Sequence, residues 1–305
     1  MKNRPVRHRL EYGLYLALKG FLRALSHAGA RRCGRVLGLL GYALDGRHRR
    51  VALDNLALAL PELPPEARRR LVRACFQHFG GALCDTISST RFDARGMCRR
   101  YTLVGWEYLE EADRRGKGVF LLTGHFGLWE MAPPVIGLYH GPLDIVVRPA
   151  DNPWLDRELV ALRERGGNRV VAKHGAARRM IEVLRRSGRL GILIDQRVQP
   201  REGIWVPFFG QPALTTPVVA RLSVRTGAAV VPVSSFPLPG GRYRVVIHPP
   251  ILPPEGEEGE AAVAALTRRY LEAAEADIRA HPEMWLWMHR RWENGRGGKA
   301  AKAPE

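Results

Sequence analysis

Two ionisable residues five positions apart, His125 and Glu130, lie in the stretch Leu121-Leu-Thr-Gly-His-Phe-Gly-Leu-Trp-Glu130. The pair suggests a histidine general base oriented by a carboxylate, which would fix the ring tautomer and stabilise the imidazolium that forms. The competing reading is a histidine that only hydrogen-bonds a backbone carbonyl at a strand end; the pair alone does not choose. In one continuous helix an i,i+5 pair lies about 140° apart. The two can therefore meet only if His125 sits in a turn and Glu130 in the first turns of a helix after it. Residues 119–122 are apolar and read as a buried strand, and Gly124 and Gly127 supply the backbone freedom for that turn. A strand ending on glycine and presenting a histidine at its C-terminal edge is where open α/β sheets place chemistry. The zinc-protease pattern H-E-x-x-H is not met, because Phe126 and Trp129 stand where it needs Glu and His.

Three further residues share that kind of position. Arg148 follows the run Ile145-Val146-Val147, and so ends its strand as His125 ends its own. It suits a phosphate or an oxyanion, or a plain surface ion pair. Asp195 and Gln196 follow another apolar run; Asp195 also reads as a partner of Arg197 or a turn cap. The segment after them, Ile204-Trp-Val-Pro-Phe-Phe-Gly210, is apolar for a loop, and either lines a channel for an alkyl chain or covers one end of the core. Met284-Trp-Leu-Trp-Met-His-Arg-Arg-Trp292 mixes aromatics with basic groups, as a membrane interface or a single-stranded nucleic acid would use; core packing is the plainer reading.

The elements that must position these residues show in the periodicity. Short β-branched runs at 119–122, 144–147, 169–172, 190–194, 229–234 and 243–247 alternate with helical patterns at 128–138, 153–166, 175–187 and 215–226. That alternation predicts an α/β fold, a sheet covered by helices. Gly105-Trp106-Glu107 reads as a turn before the first strand. A last helix is expected over 261–280. Pro64 and Pro65 open an earlier one, with Leu71, Cys75, Phe79 and Leu83 as its core stripe. Residues 12–25 are rich in Leu and aromatics but interrupted by Lys19 and Arg23, too broken for a span of about 20 apolar residues. An interfacial helix fits that pattern, as does an ordinary amphipathic core helix. Glu11 and Lys19 also argue against a cleaved secretory signal.

The chain has 305 residues, with 46% hydrophobic and 26% charged, so it reads as a folded globular protein. Its net charge of +18 and pI of about 10.6 favour an anionic partner: nucleic acid, an anionic membrane or an acidic carrier. No basic tail or zinc-finger spacing points to DNA. Cys33, Cys75, Cys84 and Cys98 have no C-x-x-C spacing and read as thiols of a reducing compartment. No G-x-S-x-G, Walker A or G-x-G-x-x-G sequence is present, so serine-hydrolase and nucleotide-cofactor readings have no anchor.

The blocks Asn55-Leu56, Leu60-Pro61-Glu62, His125 to Glu130, Arg148-Pro149, Asn152-Pro153, Asp195-Gln196, Val206-Pro-Phe-Phe-Gly210, Thr215-Thr216-Pro217 and Trp285 to Trp292 occur in that order over most of the chain. Together they resemble the lipid A biosynthesis acyltransferase family, within the lysophospholipid acyltransferase superfamily. The resemblance implies an α/β core with a mixed central sheet flanked by helices and a helical N-terminal segment that associates with membrane. The expected divisions are 1–100 (helical, membrane-associating), 101–292 (α/β acyltransferase core with a C-terminal helix) and, from its polar Gly/Lys/Ala-rich composition, 293–305 (disordered tail). It further implies acyl transfer from an acyl carrier protein or coenzyme A thioester to a hydroxyl of a lipid A precursor. The same chemistry on a lysophospholipid, ornithine lipid or glycolipid is the alternative, and a non-catalytic basic binding protein is the rival of another class. His125 would be the base and Glu130 would orient it. Arg148 would contact phosphate or oxyanion, with Asn152 shaping its loop, and Asp195 and Gln196 would organise the far side of the acceptor site. No metal, cofactor or nucleic acid is expected. The place implied is the cytoplasmic face of the inner membrane, peripheral or monotopic.

Overall fold

A computed structural model describes residues 5–173, 175–256 and 258–292. The expectation of a disordered tail over 293–305 lies outside them. Five helices come first: α1 (Pro5–Ala24), α2 (His27–Leu44), α3 (Gly46–Ala59), α4 (Pro65–Ser89) and α5 (Ala94–Cys98). Their starts follow local chemistry. Ser26 caps α2 by accepting from the Gly29 N–H, Asp45 caps α3 by accepting from His48, and Pro65 opens α4. Helices α2 and α4 touch backbone to backbone. A Cβ on Gly38 would lie 2.0 Å from the Phe76 carbonyl oxygen, and one on Gly34 2.3 Å from that of Gly80.

The core continues as β1 (Tyr101–Val104), α6 (Trp106–Arg114), β2 (Val119–Thr123), α7 (Ala132–His140), β3 (Asp144–Val147), α8 (Pro153–Arg163), β4 (Arg169–Ala172), α9 (Ala176–Arg185) and β5 (Arg189–Leu193). A hairpin follows, β6 (Ile204–Phe208) and β7 (Gln211–Thr215), and then α10 (Val218–Thr226), β8 (Ala229–Leu238), β9 (Arg242–Ile247) and α11 (Glu260–Ala280). The main sheet has seven strands in the order β1-β9-β8-β2-β5-β3-β4. It is mixed, as expected: β8 and β9 pair antiparallel, and the other pairs are parallel. Strand parity divides the core. Phe120, Leu122, Leu190 and Ile192 pack with α9, α10 and α11, whereas Val119, Leu121 and Ile145 pack with α7.

Three local expectations change. Gly105 is not a turn before the first strand: it adopts φ +77° after the edge strand β1 and starts α6. The apolar segment after Asp195 is the β6–β7 hairpin, whose Val206, Phe208, Ala213 and Leu214 are buried. The helix expected over 128–138 begins as a 3₁₀ turn, Trp129–Met131, because Pro133 and Pro134 restrict the first turn of α7.

Candidate active site

Strands β2 and β5 are parallel neighbours, with Thr123 opposite Leu193. Their C-terminal ends therefore deliver His125 and Asp195 to the same point, although 70 residues separate them. The His125 Nδ1 lies 2.8 Å from Asp195 Oδ1, and the His125 backbone N–H donates to Asp195 Oδ2 at 2.7 Å. The indole N–H of Trp285 donates to the same Oδ2 at 2.8 Å. Three donors thus surround a carboxylate that is 2% exposed. Burial alone would raise the Asp195 pKa, but the imidazole and these hydrogen bonds outweigh it and hold the carboxyl below its ordinary value. Burial likewise opposes charge on His125. Asp195 first, and Glu130 through space, reverse that and raise the imidazole above its ordinary value.

Gln196 Nε2 is 3.2 Å from His125 Nε2. With Nδ1–H committed to Asp195, Nε2 is the accepting nitrogen, so the Gln196 amide donates to it. A substrate hydroxyl bound at Nε2 would take that place. The loop carrying His125 is fastened from several sides. His125 O accepts from Leu286 N, Gly127 N–H donates to Met284 O, and Leu128 N–H donates to Ser235 O. Gly127 (φ +61°) has no room for a side chain, since a Cβ would lie 1.7 Å from the Ser235 carbonyl oxygen. On the far side, His289 Nε2 accepts the Arg197 N–H at 3.2 Å, and Asn55 Nδ2 donates to the carbonyls of Trp287 and His289. The Trp285 to Trp292 segment is therefore a buried brace for both halves of the pair.

Glu130 is not hydrogen-bonded to His125. Its carboxylate is held in a bidentate pair by Arg163 of α8, at 2.6 and 2.9 Å, while the Trp129 ring lies against the imidazole at 5.3 Å between centroids. The direct contact expected of Glu130 is made by Asp195. Arg148 ends β3 on the same side of the sheet and pairs with Asp151 at 3.0 Å in an exposed position. Asn152 is buried and points away: it caps α8 through Trp154 N–H and donates to His8 O and Glu11 Oε2. Arg163 carries no local sequence signal, and Trp285 is marked only as part of an aromatic and basic segment. They enter the site only because α8 and the segment after α11 fold back on it.

In front of the pair opens a cavity of about 1170 Å³, lined by His125, Glu130, Arg148, Arg163, Lys173 and Gln196 at its polar end and by apolar side chains beyond. Asp195 is not in its wall; it stands behind His125. Among the described residues no group of His, Cys, Asp and Glu is arranged to hold a metal. A histidine at the mouth of a large, mostly apolar cavity fits a candidate base for chemistry on a molecule with a polar reacting end and a hydrocarbon body.

The sequence matches the family described as bacterial lipid A biosynthesis acyltransferase across residues 1–294. The chain belongs to this family and is an acyltransferase. It is 27% identical to the lipid A biosynthesis lauroyltransferase of Escherichia coli over 264 residues, covering 86% of this chain and 84% of that protein. A lipid A biosynthesis acyltransferase of Haemophilus influenzae is 28% identical over 290 residues, or 92% and 90% of the two chains. A phosphatidylinositol mannoside acyltransferase of Mycobacterium tuberculosis is 28% identical over 243 residues, or 78% and 75%.

Proposed function

We propose that this acyltransferase moves a fatty acyl group from a thioester to a hydroxyl of a lipid A precursor, with His125 as general base. The observation that carries the mechanism is the His125 imidazole fixed on Asp195 with Nε2 facing the cavity. The acceptor hydroxyl replaces the Gln196 amide at Nε2 and gives up its proton there as its oxygen attacks the thioester carbonyl. The tetrahedral intermediate collapses to the new ester, the C–S bond breaks, and the imidazolium returns its proton to the leaving thiolate. Asp195 stays ionised throughout, holding Nδ1–H and stabilising the imidazolium. The Glu130–Arg163 pair shapes the cavity wall and places a second negative charge near the ring. Arg148 and Lys173 provide positive charge for a phosphate-bearing substrate. Acyl carrier protein and coenzyme A both meet that requirement as donors. A glycolipid acceptor is the second reading, favoured by the similarity to the mannoside acyltransferase.

Membrane attachment belongs to the same proposal. No helix among the described residues is long and apolar enough to cross a bilayer. Helix α1 instead exposes Val6, Leu10, Leu14 and Phe21 along one face, and α2 exposes Val36, Leu37, Leu40 and Leu44. The opposite side of α1 is tied to α8, where Glu158 accepts from Tyr12, Tyr15 and Lys19. Such apolar faces on a chain of net charge +18 suit the headgroup region of an anionic leaflet, the cytoplasmic face of the inner membrane. Leu10→Asp with Leu14→Asp should shift the protein out of the membrane fraction; unchanged partition would remove α1 from the attachment.

Mass spectrometry of total lipid from a gene knockout tests the reaction. Lipid A lighter by one acyl group, restored by the wild-type gene but not by His125→Ala, is the expected result. Loss of an acyl chain from another lipid would move the acceptor. Full restoration by His125→Ala would overturn the mechanism.

A further inference from the structure

Arg291, in the segment that braces the site, is 0% exposed, and an arginine is seldom buried so deeply without a partner for its charge. Its guanidinium donates to the Leu214 carbonyl at 2.7 Å and to the Thr215 hydroxyl, both on β7, and lies 5.2 Å from the centre of the Phe208 ring. These partners are neutral, and the Nε–H has no acceptor. Among the described residues no carboxylate forms an ion pair with it. Burial lowers the guanidinium pKa to about 10, so it keeps its charge at neutral pH; the carboxylate that acts on it through space is Asp195. A packed column joins the two charges. The Phe208 ring meets the Trp285 ring edge-on at 5.5 Å between centroids, and the Trp285 indole N–H donates to Asp195. The backbone makes a second connection. Arg291 N–H donates to His289 O, and the His289 ring accepts from the N–H of Arg197, which follows Asp195 and Gln196. Phe208 and Trp285 are buried, so little water screens one charge from the other.

We propose that Arg291 is the counter-charge of Asp195, a positioning residue that keeps this carboxylate ionised while His125 is neutral and able to act as base. The inference rests on the His125 mechanism proposed above and names what that mechanism needs behind the acid. Whenever Nε2 is free to accept a proton, the imidazole carries no charge, and Asp195 is a buried anion faced only by neutral donors. Such an anion is costly without a cation. Arg291 supplies one without touching either oxygen, so Asp195 keeps its three donors and Nδ1–H keeps its acceptor. Once the imidazolium forms, it, Asp195 and Arg291 carry one net positive charge, so Arg291 also restrains the basicity that Asp195 gives to His125. The other charges around the pair have partners of their own. On the cavity side Glu130 pairs with Arg163, Lys173 with Glu202 and Arg148 with Asp151. Behind Asp195, Asp277 meets His248, and on the same helix Glu275 meets Arg279. His289 lies within the field of Arg291, Arg197, Asp195 and His125. Burial first, then His125 and the two arginines, hold it below its ordinary pKa against the pull of Asp195.

The test is the titration of His125 itself, followed by NMR of the full-length protein with labelled imidazole rings and assigned by the signal lost in His125→Ala. The pH profile of kcat/KM is recorded beside it. Arg291→Met removes the charge and keeps a long side chain in the core. With the cation gone, the neutral pair of imidazolium and carboxylate gains over the bare carboxylate. The His125 pKa should therefore rise by about half a pH unit or more, and the acid limb should move up with it, opposite to Asp195→Asn. Arg291→Lys keeps the charge and should hold both near their wild-type values. Thr215→Val removes one hydrogen bond to the guanidinium and keeps the charge, so the melting temperature should fall while the His125 titration stays in place. Stability gives a second readout, because Arg291 is buried. Arg291→Met should cost less in an Asp195→Asn background, where no anion is left behind, than in the wild type. An unmoved His125 titration in Arg291→Met, or an equal or larger stability cost in the double variant, would overturn the assignment and leave Arg291 a packing residue. The reaction is judged separately. Acyl transfer by His125→Ala at the wild-type rate sinks the proposed mechanism, whereas an unmoved titration with His125→Ala inactive sinks this inference alone.

Discussion

Among the described residues two histidines contact a fully buried aspartate, and the two pairs carry charge in opposite ways. At the candidate active site His125 and Asp195 are 2.8 Å apart, the imidazole pKa is raised and the carboxyl pKa lowered. Between the N-terminal helices and β9, His27 Nε2 and Asp85 Oδ1 are 3.6 Å apart. There burial lowers the histidine to about 4 and raises the acid to about 6. Depth does not separate the two, since Asp85 is 0% and Asp195 2% exposed. Donors do. Asp195 accepts from the His125 ring, the His125 backbone and the Trp285 indole, whereas no donor meets Asp85 in good hydrogen-bond geometry and only the Tyr243 hydroxyl stands near enough to favour its charge. Arg31 comes no nearer to Asp85 than 3.8 Å. Arg100, Arg91 and Arg31 further disfavour a charged His27. An ion pair survives burial where hydrogen bonds replace its lost water, and otherwise both groups neutralise.

The largest break in this comparison is to neutralise each acid in turn. Asp195→Asn should lower kcat on the order of 100- to 10,000-fold, the range of general-base assistance. The residual activity should also change with pH in a defined direction. A base must be deprotonated to act, so the raised His125 pKa places the acid limb of kcat/KM above 6.5 in the wild type. In Asp195→Asn the limb should move to lower pH. Asp85→Asn should leave kcat and its pH profile within about twofold. Equal losses of rate in the two variants, measured by steady-state kinetics at several pH values, would erase the distinction.

The second test reads stability. Asp85 moves from an ordinary 3.8 to about 6, so the folded state binds the proton more tightly and this group's contribution falls as pH rises from about 4 to 6. At about 1.4 kcal/mol per unit that is on the order of 3 kcal/mol. His27 moves from 6.5 to about 4, so its contribution rises with pH between about 4 and 6.5. The two slopes oppose each other over the shared window. Asp85→Asn should therefore be more stable than wild type at pH 7, and its urea midpoint should drop more steeply on acidification. If wild type and Asp85→Asn lose stability in parallel between pH 6.5 and 4, Asp85 does not hold its proton in the folded state.

A smaller effect is expected from thinning the donors around Asp195. Trp285→Phe keeps an aromatic ring in the core but removes one hydrogen bond to a charged acceptor, worth about 1.5–3 kcal/mol. Asp195 should then titrate higher and His125 lower, with kcat down about tenfold and the acid limb shifted the same way as in Asp195→Asn, by less. A drop in melting temperature with an unshifted limb would make Trp285 a packing residue only.

Much of this was readable in the sequence wherever the signal is local. Apolar runs marked six of the seven main strands, and the glycine-ended strand marked His125, which the structure places at the cavity beside Asp195. What the sequence hid is what pairing across the sheet creates. Asp195 was visible as a strand-ending acid, but its contact with His125 exists only because β2 and β5 are neighbours. Glu130 was the attractive partner because it is near in sequence. The proline-rich start of α7 and the pull of Arg163 place its carboxylate elsewhere. Trp285 read as core packing and is buried, and its indole nitrogen also serves the site. β1 escaped notice because its four residues, Tyr101 to Val104, are broken by Thr102 and offer no β-branched run like that of β4.

Glu130→Gln probes the smallest term in the comparison, the carboxylate that acts on His125 without touching it. The substitution keeps the side chain's shape and one oxygen for Arg163 and removes the charge. Because Arg163 already neutralises most of that charge, the field lost at the imidazole is small beside that of Asp195. Rate should fall less than tenfold, the fold should be kept, and the acid limb should move down only slightly. A double variant with Asp195→Asn should lose less than the sum of the two single losses, because both carboxylates act on the one imidazole and groups that share a partner do not add. If Glu130→Gln alone falls as far as Asp195→Asn, the carboxylate pairs with the imidazole during the reaction. The geometry of the free site, with Glu130 on Arg163, would then be a resting state from which it has to swing.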